Sequence, residues 1–314
     1  MNMFRRILVP LDGSQTAEAV LRLAVPIARA VGSSVELLHV IPDRKSLARM
    51  GPEDPLDWRM SSRRAHEYLA GPARMLAEAG VASESRIEEG GPAEIIVRIL
   101  QSGEHGLVAM TPHGRGGTGE LSLGCTAGAV LLHAPSSLLL VPPLPDDARV
   151  RRIVVPVDGS PRAEWAMDLA FHLADSLRAE LQLVHALVRP NRFGILPGDQ
   201  EQDEVSRHFC QANRTAAVRF MAQLQDRHSP RDIRIEGRIL EANGDVSGRL
   251  LEDAEASGAD LVVLSAHGHD ESVGWRLGAV PLRFLLAATV PTLLMQDFTK
   301  PKGSARPDAP HLNR

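Results

Sequence analysis

"RRILVPLDGSQTAEAVLRLA", residues 5–24, recurs as "RRIVVPVDGSPRAEWAMDLA", residues 151–170, at a constant offset of 146. The same offset relates "VELLHV" (35–40) to "LQLVHA" (181–186). A later pair, "GLVAMTPHG" (106–114) and "DLVVLSAHG" (260–268), aligns at an offset of 154 because the second copy has gained residues in its middle. A repeat of this length predicts a duplicated domain rather than a solenoid unit.

Each copy alternates strand patterns with helix patterns. "RILVPL" is a continuous apolar run that stops at Asp-Gly-Ser, which is typical of a buried parallel strand. Four further strand patterns follow, with helical periodicity between them, and Pro26 predicts a kink in the first helix. The order βαβαβαβαβ predicts an α/β protein of two tandem Rossmann-like domains, each a five-stranded parallel sheet with helices on both faces.

The domain boundary is predicted in "VPPLPDDARV", residues 141–150, where Pro and Asp interrupt the pattern. We therefore expect a first domain at 1–142, a linker at 143–150 and a second domain at 151–298. Residues 299–314 are polar and proline-rich, a composition that predicts a disordered tail.

Composition excludes several classes of protein. The net charge is −4 and aromatic residues make up only 4%, which argues against nucleic-acid binding. No run approaches the roughly 18 apolar residues of a membrane span, and no signal-peptide pattern precedes the first strand. The two cysteines lack metal or redox spacing, so we expect a cytoplasmic protein.

The glycine-rich stretch "HGRGGTGELSLGCTAG", residues 113–128, is the strongest candidate for a phosphate loop. Gly114, Gly116 and Gly119 fit G-x-G-x-x-G, but the dinucleotide fingerprint follows a first strand and needs a downstream acid, whereas this stretch follows the fourth. Gly119 and Gly124 fit the frame of a P-loop, but Cys125 stands where that motif has its lysine. Both matches are weak.

"ILVPLDGS" and "IVVPVDGS", the histidine-ended second strands and the fourth-strand loops together resemble the universal stress protein family, specifically its tandem-domain members. The resemblance covers 5–141 and 151–295. Members of that family that bind ATP carry Gly-x-x-Gly, nine residues, then Gly-Ser or Gly-Thr. The first copy has "TPHG" (111–114), nine residues, then "GC" (124–125), and the second has "SAHG" (265–268), nine residues, then "GA" (278–279). Each copy lacks the first glycine and the hydroxyl residue.

The resemblance implies that the first domain binds ATP or another adenine nucleotide, with Mg²⁺ accompanying the nucleotide and no other metal. Around the base and ribose it implies Pro10, Leu11, Asp12 and Val40, and around the phosphates Met110, Thr111, Gly114, Arg115, Gly124, Cys125 and Thr126. Another role for Asp12 is to cap the following helix. In the second copy, Asp270 and Glu271 would repel phosphates, so that site is expected to be degenerate.

No acid and base are paired with a nucleophile, so we expect a stress-response binding protein and not an enzyme. The alternative is a stress-adaptation module that binds no nucleotide and acts through an unknown protein partner or another small ligand. Paired histidines, among them His39 and His185, suggest either a metal site or hydrogen bonds from ring to backbone. The apolar fifth strands can pair within the chain, giving a pseudo-dimer, and a further homodimer stays open.

Overall fold

The computed structural model describes residues 4–41, 55–114, 123–188, 200–228, 233–268 and 277–296, with backbone alone at 55–61, 200–210 and 227–228. Three expectations lie outside these residues. They are the role of Arg115, the charges at Asp270 and Glu271, and the tail at 299–314.

In the residues that the structure describes, each half contains five strands that alternate with helices. The first half consists of β1 (Arg6–Pro10), α1 (Gln15–Ala19), α2 (Leu21–Val31), β2 (Ser34–Ile41), α3 (Pro55–Glu78), β3 (Ser83–Glu89), α4 (Pro92–Gln101), β4 (Leu107–Met110), α5 (Cys125–His133) and β5 (Ser137–Leu140). The second consists of β6 (Arg152–Pro156), α6 (Pro161–Leu177), β7 (Glu180–Val188), α7 (Gln200–His228), β8 (Ile235–Ala242), α8 (Val246–Ala256), β9 (Leu261–Ser265), α9 (Ala279–Ala287) and β10 (Thr292–Met295). None of the helices in the described ranges is both long and apolar enough to cross a membrane.

The ten strands form one sheet in the order β3-β2-β1-β4-β5-β10-β9-β6-β7-β8. Within each half every pairing is parallel, which confirms the predicted α/β class. β5 and β10 pair antiparallel, with Leu139 opposite Leu293. The apolar fifth strands therefore meet inside one chain and leave neither as a free edge.

Side chains alternate between the two faces of the sheet. Ile7 and Val9 of β1 join one core cluster with α2, α3, α6 and α7. Leu8 joins the other cluster, with α4, α5, α8 and α9. Both clusters contain residues from both halves, so burial of apolar surface holds the halves together as one body.

Polar contacts also join the two halves. The Arg22 Nη1 donates to the carbonyl oxygens of Leu144 (2.7 Å) and Pro145 (3.0 Å), between the predicted domains. The His172 Nε2 of α6 donates to the Ala30 carbonyl of α2 at 2.8 Å. The Arg22 bonds hold residues 144 and 145, within the stretch 143–150 that forms neither helix nor strand.

Pro26 does not end the helix, and the kink expected there stays a prediction. The break between α1 and α2 lies at Val20, and α2 continues through Pro26. Proline removes the bond that its N–H would make to the Arg22 carbonyl, and its ring crowds that carbonyl. The residues that follow, Ile27 and Ala28, are fully buried, and this packing outweighs the loss of one hydrogen bond.

A buried ionic cluster lies near the amino ends of the first-half strands. The Glu36 carboxylate is buried and receives Arg6 Nη1 at 2.9 Å and His105 Nε2 at 3.1 Å. The Nδ1 of His105 is also buried and has no hydrogen-bond partner among the described residues. A neutral ring tolerates this arrangement, but a protonated ring would bury an unpaired N–H. Burial accordingly lowers the pKa of His105 below its ordinary value, despite the neighbouring Glu36 carboxylate.

The second half buries its acid on a helix instead of a strand. Gln182 stands at the offset position of Glu36 and donates to the Asp253 carboxylate at 3.3 Å. Arg238 pairs with the same carboxylate at 2.9 Å. Burial raises the pKa of Asp253 above its ordinary value. Ala259 stands where the offset of 154 would place a second His105, so the second half has no histidine at the corresponding position.

We expect the protein to lose stability as the pH falls below about 6.5, the value of a histidine in an unfolded chain. In that window the unfolded chain takes up a proton that folded His105 does not, so the free energy of unfolding falls. His105→Gln keeps a donor to Glu36 and removes the titration. Urea unfolding at pH 7.5 and 5.5 should show the wild type losing about 1 kcal/mol more than the variant. An equal loss in the two proteins would contradict this assignment.

Candidate functional site

Three strand ends and one helix start enclose a cavity of about 550 Å³ in the first half. The loops after β1, β2 and β4 form its rim, together with the amino end of α5, as expected for ligands of open α/β sheets. The residues nominated from the sequence that line this cavity are Pro10, Leu11, Asp12, Val40, Met110, Thr111, Gly114, Gly124, Cys125 and Thr126. Arg115, the remaining nominee, lies outside the described residues.

Part of the apolar wall was not nominated from the sequence. Pro92 and Ile96 come from the first two turns of α4, and Leu38 comes from β2. Ala17 of α1 and Ala127 of α5 extend the wall at the helix starts. Helical periodicity marks Ile96 as buried, but it does not tell which buried residues face a cavity.

Asp12 organises the loop that follows β1. Its Oδ1 accepts from the Ser14 N–H at 2.9 Å and from the Ser14 hydroxyl at 2.6 Å. The Ser14 Oγ in turn accepts from the Ala17 N–H at 3.1 Å, so Ser14 is the residue that caps α1. The helix-capping role considered for Asp12 is therefore indirect. Asp12 holds the cap, and its carboxylate also lines the cavity.

The loop after β4 is held from both sides. Thr111 Oγ1 donates to the His113 carbonyl at 3.0 Å, and the Gly124 N–H donates to the Pro112 carbonyl at 2.9 Å. A Cβ on Gly114 would lie 2.9 Å from the Asp12 Oδ2, and one on Gly124 would lie 3.1 Å from the Pro112 carbonyl oxygen. These two close approaches explain why glycine occupies both positions.

The amino end of α5 opens onto the cavity. This nine-residue helix begins after its N-cap residue, Gly124. Because glycine has no side chain, no side-chain hydrogen bond caps the helix. The first N–H groups of a helix have no partners within the helix, and with the helix dipole they favour an anion. In α5 they belong to Cys125, Thr126 and Ala127, and the Cys125 side chain is exposed.

The second half repeats the loop geometry but not the helix start. Ser265 Oγ donates to the His267 carbonyl at 2.8 Å, and the Gly278 N–H donates to the Ala266 carbonyl at 2.8 Å. However, Pro281 occupies the third position of α9, where α5 has Ala127. Proline has no N–H, so α9 offers one donor fewer to an anion. Sequence alignment at the offset of 154 pairs the two residues and could have revealed this difference.

The paired histidines of the second strands bond to backbone. His39 Nδ1 donates to the Leu11 carbonyl at 2.7 Å, and His185 Nδ1 donates to the Val157 carbonyl at the same distance. Each ring thus fixes the residue before the first-strand Asp. In the ranges that the structure describes, no group of three or more His, Cys, Asp or Glu side chains could hold a metal ion.

Comparison with known proteins finds members of one family among both the sequence relatives and the solved structures. A universal stress protein of Mycolicibacterium smegmatis is 26% identical over 298 residues, covering 92% of this chain and 96% of the relative. One from Mycobacterium tuberculosis is 24% identical over 307 residues, covering 92% and 94%. The crystal structure of a universal stress protein from Archaeoglobus fulgidus matches with a TM-score of 0.62 at 19% identity, covering 93% of this chain and 98% of that one. This structural likeness supports the fold.

The universal stress protein family model matches the chain twice, at residues 3–142 and 149–296. The two matches coincide with the two halves of the sheet and together span most of the chain. The resemblance noted from the strand and loop motifs is confirmed. The chain belongs to the universal stress protein family, as a member with two copies of the family domain in tandem.

Proposed function

We propose that the first half binds an adenine nucleotide, ATP or a relative of it. We further propose that the protein is a nucleotide-responsive binding protein and does not turn the nucleotide over as an enzyme. The observation that carries this proposal is the convergence of ten nominated residues, from loops far apart in the chain, on one cavity. A cavity of about 550 Å³ falls within the size range of small-molecule and cofactor sites.

The two ends of the cavity suit the two ends of a nucleotide. Leu38, Val40 and Ile96 offer an apolar wall to a flat base. The uncapped amino end of α5 offers backbone N–H groups to a phosphate. Asp12 lies on the lining with them, and a carboxylate there can accept hydrogen bonds from ribose hydroxyls.

The asymmetry of the two halves supports a single site. Pro281 leaves the third position of α9 without a backbone N–H, whereas Ala127 provides one at the third position of α5. We therefore expect one nucleotide per chain, bound in the first half, with any Mg²⁺ arriving on the phosphates.

Calorimetric titration of the purified, folded protein with ATP, ADP and AMP tests the proposal. We expect saturable heat with a stoichiometry of one. Absence of binding up to millimolar nucleotide would overturn it and favour the alternative module that works through a protein partner or another small ligand. Sustained release of phosphate from ATP over many turnovers would overturn the assignment as a binding protein.

Cys125→Ser should tighten nucleotide binding about three- to tenfold. The exposed Cys125 side chain lines the cavity at the first position of α5, where a hydroxyl donates a stronger hydrogen bond than a thiol. Titration of the variant beside the wild type measures the change. Ala279→Ser makes the corresponding change in the second half and should leave the affinity unaltered. A gain of the same size from both variants would contradict the assignment of the site to the first half.

A further inference from the structure

β8 is an open edge of the ten-stranded sheet. It stands last in the strand order, after β7, and in the described ranges no strand pairs with its outer side. Across the β7–β8 pair the Leu181 N–H donates to the Arg234 carbonyl at 2.9 Å. Successive residues of a strand turn their backbone groups to opposite sides, so Ile235, Gly237 and Ile239 present theirs to the open edge. Such a row of backbone groups is a template for another strand.

The sequence of this edge is complementary to itself. The stretch from Ile235 to Ile239 reads Ile-Glu-Gly-Arg-Ile. Two copies paired antiparallel about Gly237 place Glu236 of each copy opposite Arg238 of the other, on the face that carries α8. The isoleucines then oppose each other on the face that carries α7. Opposite charges and β-branched side chains in directly opposed positions both stabilise an antiparallel pair.

The backbone allows the same register. In an antiparallel ladder, two opposed residues that face each other exchange both N–H···O bonds. Pairing about Gly237 opposes outward-facing residues only with outward-facing residues, so three residue pairs give about six bonds. Gln225 Nε2 of α7 donates to the Ile235 carbonyl at 3.4 Å. A carbonyl oxygen has two lone pairs, so this one can also accept from the second copy.

The charges of β8 suit those of a second copy. Arg238 pairs with the buried Asp253 carboxylate at 2.9 Å, and 38% of its side chain stays exposed. Glu236 is exposed. Burial, and to a smaller degree Glu236, raises the pKa of Asp253, so the two acids repel each other. An Arg238 from a second copy, opposite Glu236, would offset that repulsion.

The opposite edge of the sheet is less suited to such pairing. β3 also has a glutamate and an arginine two residues apart, Glu84 and Arg86, but both are already bound within the chain. Arg6 Nη2 donates to Glu84 at 2.7 Å. Arg86 donates to Glu88 through Nε at 2.8 Å and through Nη2 at 2.6 Å. β3 has a serine in place of the first isoleucine of the β8 stretch, so the apolar pair is missing as well.

Apolar surface of α7 lies beside the β8 edge. A Cβ on Gly237 would lie 3.2 Å from the Met221 Cε and 3.3 Å from the Gln225 Cδ. Val218 is three residues before Met221, on the same side of the helix, and is 51% exposed. At the β5–β10 junction, where two strands also pair antiparallel, α2 and α6 touch across the pairing. A junction of two β8 strands would bring two α7 helices together in the same way.

We propose that two copies of the chain form a dimer by pairing their β8 strands antiparallel about Gly237, so that one sheet continues through both copies. The two-fold axis passes through the Gly237 pair, and the contact therefore closes on itself and leaves neither β8 edge open. This inference does not depend on nucleotide binding.

Sedimentation analysis over a series of protein concentrations tests the dimer. We expect a reversible shift from the 34.0 kDa chain to a species of twice that mass. Glu236→Arg would set arginine against arginine at both charge pairs, so the dissociation constant should rise at least about tenfold. The variant also removes a charge that repels Asp253, so its fold is not weakened. A mass of 34.0 kDa at every soluble concentration would overturn the inference.

Glu84→Arg is the matched control. Glu84 lies opposite Glu36 in the β2–β3 pair, as Glu236 lies opposite Gln182 in the β7–β8 pair. The same substitution on the other edge strand should leave the dissociation constant of the dimer unaltered, once the folding of the variant has been checked. A dimer weakened by Glu84→Arg as much as by Glu236→Arg would overturn the assignment to β8.

Hydrogen exchange gives a test that needs no variant. The N–H groups of Gly237 and Ile239 face the open edge and should exchange more slowly as the protein concentration rises. The N–H of Arg238 points toward β7 and should be protected at every concentration. Dimer formation without added protection at Gly237 and Ile239 would overturn the pairing of the β8 strands.

Discussion

Gly114→Glu is expected to weaken nucleotide binding at least a hundredfold. The first side-chain carbon alone would lie 2.9 Å from the Asp12 Oδ2, so the Asp12 carboxylate would have to leave its place. That carboxylate is held by two bonds from Ser14, so the displacement would spread to the cap of α1. The added carboxylate would also lie on the cavity lining and repel phosphate charge. Calorimetric titration gives the affinity directly.

Gly268→Glu is the matched control for this prediction. A Cβ on Gly268 would approach the Asp158 Oδ2 even more closely, at 2.3 Å, so the local strain is at least as large. Because the site is assigned to the first half, this variant should bind nucleotide as the wild type does, once its folding has been checked. Loss of binding in Gly268→Glu with retention in Gly114→Glu would move the site to the second half.

Leu293→Ala should lower the free energy of unfolding by about 3 kcal/mol, within the range of 2–5 for buried leucines. Leu293 is fully buried in β10 and lies opposite Leu139 of β5, also fully buried, where the two halves join. The lost contacts belong to both halves, so urea unfolding should remain one cooperative transition with a lower midpoint.

Leu286→Ala tests whether position, rather than residue type, sets that loss. Leu286 of α9 is 42% exposed, so its removal should change the free energy of unfolding by less than about 0.5 kcal/mol. Equal losses of unfolding free energy in the two variants would show that the buried contacts between β5 and β10 stabilise the protein no more than an exposed leucine does. A second unfolding transition in Leu293→Ala would show that the halves can unfold separately.

Part of the candidate site could be predicted from the sequence, because its loops follow strands that are easily recognised as apolar runs. Asp12 and Gly114 each lie just beyond a strand end, and parallel strands bring such ends to one edge of a sheet. The residues that α4 contributes to the cavity could not be predicted in this way. Pro92 and Ile96 face the cavity because of how α4 packs against β2 and α5, which is a property of the assembled fold.

The sequence by itself determined the duplication, the α/β class and the family. Apolar periodicity reports which residues are buried in each strand and helix, and a repeat at a fixed offset reports the duplicated domain, so both can be recognised without the structure. Tertiary structure alone decided the rest. It continued α2 through Pro26, because Ile27 and Ala28 are buried. It also joined ten strands through β5 and β10. These features depend on contacts between residues far apart in the chain, which no local pattern encodes.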